Sequence, residues 1–156
     1  MPTVFEGGPY LNAALLCERT IQENDGVLTL VRAIDKVIAA PVEISGQLQP
    51  FMVSLSLAVV LKSGTARGEF VLVVHPQQPD GSYLPRSETA FSLTGTDDGQ
   101  GANVVINMNL GVHQEGMYWF DILLDAELLT RVPLRIEYQR AGDQTPPAPP
   151  APASAG

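Results

Sequence analysis

Residues 116–138 constrain the fold of this chain more than any other stretch. Their sequence, GMYWFDILLDAELLTRVPLRIEY, contains two apolar-rich segments separated by a short polar break, a pattern typical of a β-hairpin. Because side chains alternate between the two faces of a strand, the same pattern predicts which of them enter the core. The predicted core face consists of Phe120, Ile122, Val132, Leu134 and Ile136.

The opposite face of this hairpin is mixed and is the first candidate interaction surface. It combines a tryptophan with charged and apolar side chains, which is the composition of a partner-binding surface or of a partly covered sheet. A carboxylate beside an arginine also occurs in catalytic sites, but a cross-strand ion pair explains both residues without chemistry. The predicted interaction face consists of Trp119, Asp121, Leu123, Leu129 and Arg131.

The pairing of the two arms depends on the length of the loop between them. A two-residue loop at residues 125–126 would pair Phe120 with Arg131, unless a bulge resets the register. A three-residue loop at residues 125–127 pairs Phe120 with Val132 and sets opposite charges across the ladder. We therefore predict the three-residue loop, although it contains no glycine to adopt a positive φ.

The composition indicates one folded domain. With 156 residues and 45% hydrophobic content, the chain can bury a sizeable core. The single cysteine, Cys17, excludes an intrachain disulfide framework and a thiol-based zinc site. A net charge of −8 without a basic run argues against nucleic acid and anionic membranes as partners. The chain shows neither a signal peptide nor an apolar run of about 18 residues, so we expect a cytoplasmic protein.

Apolar alternation and turn signals predict an all-β architecture along the rest of the chain. Residues 15–35 form a hairpin around an Asn-Asp-Gly turn, residues 36–49 contain one short strand, and residues 51–61 form the clearest half-buried strand. The whole pattern gives about eight or nine strands, at spacings typical of an antiparallel β-sandwich. We assign the sandwich to residues 1–140 and predict a disordered Pro/Ala-rich tail over residues 141–156.

A second candidate site lies in a surface loop predicted over residues 76–88. Three prolines and an Asp-Gly step interrupt any strand there, and Tyr83 and Leu84 lie at the centre of the segment. An exposed tyrosine ring can serve as a stacking platform. The loop therefore offers an alternative to protein binding, which is the binding of a small glycan-like ligand.

Few residues could carry catalysis. Cys17 lies in an apolar run, where a free cysteine usually behaves as a small buried hydrophobe. His75 and His113 lie at predicted strand ends, and neither has the spacing of a catalytic triad or a zinc motif. We therefore predict surface histidines, no catalytic residue and no enzyme activity.

Acidic turn residues are the candidates for metal binding. Asp80, Asp97 and Asp98 could supply carboxylate oxygens to calcium. Two adjacent aspartates and a distant third do not form a cage, and solvated turns explain all three. We predict no metal and no cofactor.

The chain contains LLCE near its start, Asn-Asp-Gly before VLTLVRAIDKV, and YWFDILLDAELLTRVPLRI near its end. Together these pieces, which span most of residues 11–138, resemble a family of small bacterial cytoplasmic proteins described only as a domain of unknown function. Such sequences tend to have glycine at the position of Ala126. The resemblance implies an immunoglobulin-like sandwich, and no activity, cofactor or functional residue comes with it. The Gly-x-Tyr step at residues 116–118 similarly resembles the tyrosine corner of such sandwiches.

The sequence thus predicts a non-catalytic module. We expect it to have a structural role or to bind a partner, which would be another protein or a second copy of the same chain.

Overall fold

The computed structural model of the protein describes residues 7–96 and 101–139, and all regular secondary structure in these residues is β-strand. No helix in this part of the chain could cross a membrane. The strands within the described residues are β1 (Tyr10–Gln22), β2 (Leu28–Ala33), β3 (Lys36–Ala39), β4 (Glu43–Ile44), β5 (Gln47–Leu48), β6 (Phe51–Lys62), β7 (Gly68–Gln77), β8 (Ser87–Leu93), β9 (Gly101–Val112), β10 (Gly116–Leu124) and β11 (Glu127–Tyr138).

Two sheets form the sandwich. The four-stranded sheet has the order β2-β1-β6-β9 and the five-stranded sheet the order β3-β11-β10-β7-β8. The chain leaves the four-stranded sheet after β2. It returns to that sheet for β6 and again for β9, and it passes to the five-stranded sheet after each of them. β3 pairs parallel with β11, whereas the other pairs in both sheets are antiparallel. This arrangement is that of an immunoglobulin-like sandwich, so the predicted fold class is confirmed.

The core lies between the inner faces of the two sheets and contains the predicted core face of the hairpin. Phe120, Ile122, Leu134 and Ile136 are 0% exposed, and Val132 is half-buried at the edge of the same cluster. Each fully buried side chain of this size contributes about 1.5–3 kcal/mol relative to an exposed one. The alternation of the hairpin was therefore sufficient to identify its buried face.

The loop of this hairpin differs from the prediction. Phe120 does pair with Val132, as expected, but the loop contains only two residues, Asp125 and Ala126. Both have positive φ values, 45° and 72°, as a tight hairpin turn of this length requires. Asp125 exchanges two hydrogen bonds with Val71 of β7, at 2.9 Å through its carboxylate and 3.0 Å through its amide. These bonds hold a residue other than glycine in the left-handed region.

A β-bulge reconciles the short loop with the predicted pairing. Ile122 pairs with Thr130, whereas the next residue, Leu123, pairs with Leu128. Leu129 is consequently the extra residue, and it shifts the register by one position. The predicted pairing of Phe120 with Val132 is therefore correct, but a bulge and not a three-residue loop produces it.

Tyr118 forms the tyrosine corner that the Gly-x-Tyr step predicts. Its side chain is fully buried at the start of β10, and its hydroxyl donates to the backbone carbonyl of Gln114 at 2.6 Å. Burial is the main reason that the pKa of Tyr118 is raised. The bond ties the chain before β10 to the core.

Other predictions need correction or lie outside the described residues. Residues 36–49 hold three short strands instead of one, and the predicted total of eight or nine is too low. The centre of β6 is buried on both faces, not half-buried, since Ser56 is 5% and Ala58 1% exposed. The predicted tail at residues 141–156 lies outside the described residues.

Candidate functional site

The outer face of the five-stranded sheet carries a connected group of polar and aromatic side chains. At its centre is Asp121 of β10, whose cross-strand neighbours are Arg131 on β11 and His75 on β7. Trp119 and Gln77 form the next pair on the same face. Directly opposed residues share one face of a sheet, so strand register alone brings these five side chains together.

Asp121 accepts a different donor at each carboxylate oxygen. The Nε of Arg131 donates to Oδ1 at 2.6 Å, and the hydroxyl of Tyr83 donates to Oδ2 at 3.1 Å. A second guanidinium nitrogen, Nη2, donates to the side-chain oxygen of Gln77 at 2.7 Å. The Asp121 side chain is 15% exposed and that of Arg131 40%. The ion pair is therefore shielded on the carboxylate side and open on the guanidinium side.

Two ring contacts complete the group. The guanidinium carbon of Arg131 lies 5.0 Å from the ring centroid of Trp119, within the range of a cation–π interaction. The rings of His75 and Tyr83 are tilted against each other with centroids 4.1 Å apart. We refer to the whole group as the Asp121 cluster, and its members are His75, Gln77, Tyr83, Trp119, Asp121 and Arg131.

The loop after β7 positions Tyr83. Gln77 forms an isolated bridge with Tyr83, and the amide of Leu84 donates to the carbonyl of Pro76 at 2.8 Å, so the loop folds back on the end of β7. At the tip, the Asp80 carboxylate accepts hydrogen bonds from both the hydroxyl and the amide of Ser82, at 2.6 and 2.9 Å. These bonds, led by that of the hydroxyl, hold the pKa of Asp80 below its usual value.

Tyr83 is 47% exposed and acts as a donor within the cluster. Its pKa is raised, chiefly because its hydroxyl is hydrogen-bonded to the Asp121 carboxylate, with partial burial as a smaller cause. The nearby positive charge of Arg131 opposes this shift. Tyr83 therefore remains protonated at neutral pH and keeps its bond to Asp121.

The structure joins parts of the two sites that the sequence suggested separately. Trp119, Asp121 and Arg131 from the hairpin face meet Tyr83 from the loop. Leu84, the neighbour of Tyr83, instead packs against the hydrophobic core and anchors the loop.

The apolar end of the predicted hairpin face changes because of the bulge. Leu123 stays on the outer face, and its partner there is Leu128, which is 53% exposed. Leu129 packs against the core cluster. The outer face therefore contains Leu128 where the alternation placed Leu129.

Sequence reasoning did not include His75 and Gln77 in the site. His75 was predicted as a surface residue at a strand end, but it is half-buried within β7, and its ring contacts that of Tyr83. The alternation along residues 69–77 does place both side chains on the outward face of the strand. What the sequence lacked was the pairing of β7 with β10, which sets them beside Asp121 and Trp119.

Other sequence candidates lie apart from the cluster. Cys17 is a free, buried thiol whose pKa is raised mainly by burial, which disfavours the reactive thiolate. His113 is exposed after β9. No three potential metal-ligating residues converge within residues 7–96 and 101–139, while Asp97 and Asp98 lie outside the described residues.

A comparison with known protein families gives a match that covers most of the chain. A family of unknown function, DUF6941, matches residues 12–137. The chain belongs to this family. The DUF6941 match covers the sandwich from within β1 to the penultimate residue of β11 and contains every residue of the Asp121 cluster. No curated protein matches the sequence.

Solved structures with similarity to this DUF6941 chain include an immunoglobulin-like protein from Pseudomonas aeruginosa. It is 10% identical, with a TM-score of 0.36, and the match covers 85% of this chain and 99% of that one. A β-glucuronidase from glycoside hydrolase family 2 is 18% identical, with a TM-score of 0.44, over 55% of this chain and 10% of that one.

A third similar structure is an alkylpurine DNA glycosylase from Pseudomonas fluorescens, bound to DNA containing an abasic site analog. It is 12% identical, with a TM-score of 0.46, over 80% of this chain and 30% of that one. The chain thus spans less than a third of the length of the glucuronidase and glycosylase structures.

Proposed function

We propose that this DUF6941 chain is a non-catalytic binding module that recognises another protein through the Asp121 cluster. The observation that carries the proposal is the convergence of Trp119, Tyr83 and Arg131 around one carboxylate. Tryptophan, tyrosine and arginine are the residue types most enriched among those that dominate the binding energy of protein interfaces.

The cluster is held in position before any partner arrives. Arg131 is fixed by Asp121, by Gln77 and by the ring of Trp119, and Tyr83 is fixed by Asp121 and His75. Immobilising a long side chain at an interface costs about 0.5–1.5 kcal/mol of free energy. Because much of this ordering already exists in the free protein, the free-energy cost of ordering these side chains on binding would be smaller.

An apolar area continues from the cluster along the same face. Leu123 pairs with Val73 of β7 on one side and with Leu128 of β11 on the other. Val71, one pleat further along β7, is 38% exposed. An apolar area beside an aromatic and charged cluster has the composition of a protein interface, in which apolar contact and polar contacts are combined.

The setting of the protein follows the sequence-based expectations. We place it in the cytoplasm of a bacterium, and its net charge of −8 supports a protein partner over nucleic acid.

Affinity capture with paired variants tests this proposal. We expect the double variant Trp119→Ala/Arg131→Ala to lose the partners that the wild-type chain captures, because both arms of the cluster are removed. The matched control is Met52→Ala, which alters a side chain 63% exposed on the other sheet. Circular dichroism and thermal melting confirm that each variant is folded. A folded double variant that keeps every partner would show that the cluster is not the binding surface.

A small glycan-like ligand is the second candidate, favoured by the half-exposed ring of Tyr83 beside the polar groups of Asp121 and Arg131. Rings and hydrogen-bonding groups side by side can bind the apolar and hydroxyl faces of a sugar. This candidate predicts a thermal shift with a member of a glycan panel that Tyr83→Ala abolishes. A wild-type protein that responds to no glycan excludes it while leaving protein binding intact.

A further inference from the structure

We infer that the free edge of β9 binds an extended segment of another protein by β-strand addition. This surface is separate from the Asp121 cluster, which lies on the outer face of the other sheet. β9 is the last strand in the order β2-β1-β6-β9, so it is hydrogen-bonded to β6 on one side and to no described strand on the other. Alternate amide and carbonyl groups of such a strand point away from the sheet and can pair with an incoming chain.

The β9 edge is long, regular and without the usual protection. Its ladder with β6 runs without a register shift from residue 101 to residue 112, and this stretch contains no charged residue and no proline. Proteins normally blunt exposed edges with charges, prolines, bulges or short strands.

The other edge strands show these protective features. β2 has six residues and contains Arg32 at a φ of 53°, with an ion pair to Glu18 at 3.2 Å. β3 has only four residues and begins with Lys36, which is paired to Glu137 at 2.9 Å. β8 carries Glu88. β9 is therefore the longest of these four edge strands and the one without a charged residue.

A groove runs beside this edge. It has a volume of about 420 Å³ and is lined by residues 107–111 of β9, residues 84–87 and Pro76. Its walls combine apolar side chains, among them Met108 and Leu84, with the polar side chains of Asn107 and Asn109. Its size falls within the range of about 300–1,000 Å³ usual for binding pockets.

The edge and the groove together define the chemistry of the occupant. Main-chain hydrogen bonds to a strand edge supply affinity, and pockets for alternate side chains supply specificity. The occupant is therefore an extended segment with apolar side chains at alternate positions. Arg86 is the one ionisable residue lining the groove, and it is already paired to Glu88 at 3.2 Å, so a charged side chain directed inward would lack a partner.

Charge favours a foreign segment over the two candidates from this chain. A second copy would bring another net charge of −8 to the edge, whereas a basic segment is attracted by the field of the acidic chain. The C-terminal residues 146–152 contain five prolines, which have no amide hydrogen to donate to a ladder.

The experiment uses the full chain and a synthetic probe. The probe is an acetylated and amidated octapeptide of alternating threonine and valine with a lysine at each end, and the control peptide has proline in place of one central valine. We expect the probe to bind and to slow hydrogen exchange at alternate amides of residues 101–112, and the proline peptide to bind about tenfold more weakly.

Paired variants locate the binding. Met108→Lys places a charge in the groove and should weaken the probe about tenfold, whereas Leu15→Lys, at a 47% exposed position on β1 of the same sheet, should not. If Met108→Lys is unfolded, the exchange pattern of the wild-type chain decides alone. Absence of binding, binding without protection of β9, or protection that instead rises with protein concentration as the mass doubles would each overturn the inference.

Discussion

The two outer faces of the sandwich both carry hydrogen bonds between side chains of neighbouring strands, but the bonds join different groups. On the four-stranded sheet, Ser54 and Ser56 donate to Asn109 and Asn107 at 2.7 and 2.6 Å. These are neutral pairs that each link two adjacent strands. On the five-stranded sheet, the Asp121 cluster joins charged and aromatic side chains from three strands and a loop.

This difference shows what distinguishes a candidate site from an ordinary polar surface. A hydroxyl–amide pair satisfies its own groups and stiffens the sheet locally. The Asp121 cluster instead holds long side chains in fixed positions with part of their surface exposed to a partner, as the guanidinium of Arg131 shows. Four predictions test this contrast.

The largest effect is expected at the centre of the cluster. Asp121→Ala removes the acceptor of both Arg131 and Tyr83, and we expect it to lower the free energy of unfolding by about 1–3 kcal/mol. Denaturant unfolding measures the change. The control is Glu137→Ala, which removes a more exposed ion pair and should cost about 0–1 kcal/mol. Equal losses in the two variants would mean that the cluster is no more than a surface ion pair.

The hairpin turn that sets the cluster's register should gain stability from glycine. Ala126 has a φ of 72°, a conformation that costs a residue with a Cβ about 1–2 kcal/mol. Ala126→Gly should therefore raise the free energy of unfolding by about 1 kcal/mol, as measured by thermal or denaturant unfolding. Ala90→Gly, within β8, should do the opposite, since glycine weakens a strand interior. A loss of stability in Ala126→Gly would argue against the two-residue turn.

A smaller effect is expected on the four-stranded sheet. Ser56→Ala removes one neutral hydrogen bond to Asn107, whose side chain can bond to water instead, so we expect a loss of about 0.5–1.5 kcal/mol. Ser54→Ala, at a more exposed position, should cost less in the same unfolding experiment. If Ser56→Ala costs more than Asp121→Ala, the proposed contrast between the two faces fails.

The smallest effect concerns the titration of Tyr83. Its pKa lies above 10.0 in the folded chain, so its bond to Asp121 stabilises the fold below pH 10 and is lost as the pH rises through the raised value. Asp121→Asn should bring this pKa closer to the ordinary value, because a neutral amide oxygen accepts the hydroxyl's hydrogen bond less strongly than the carboxylate, whose bond is the main cause of the shift. Ultraviolet titration of each protein against its Tyr83→Phe counterpart isolates the signal. An unchanged Tyr83 pKa would show that Asp121 does not hold the hydroxyl.

Much of the fold was predictable because it follows from local alternation. Period-two patterning identified Phe120 and Ile122 as core residues, and Gly-x-Tyr identified the corner at Tyr118. The candidate site was only partly predictable. Trp119 and Asp121 share a face by parity alone, but the contact with His75 depends on which strand lies beside β10.

The sequence by itself determined the class of fold, the buried face of the last hairpin and the cross-strand pair of Asp121 and Arg131, because these depend on the spacing of residues along one or two adjacent strands. The tertiary structure decided the rest. It brought the loop residue Tyr83 onto Asp121, turned Leu129 inward through a bulge, and placed β9 at the edge of its sheet. Each of these outcomes depends on contacts between segments far apart in the chain, and no local pattern encodes which segments meet.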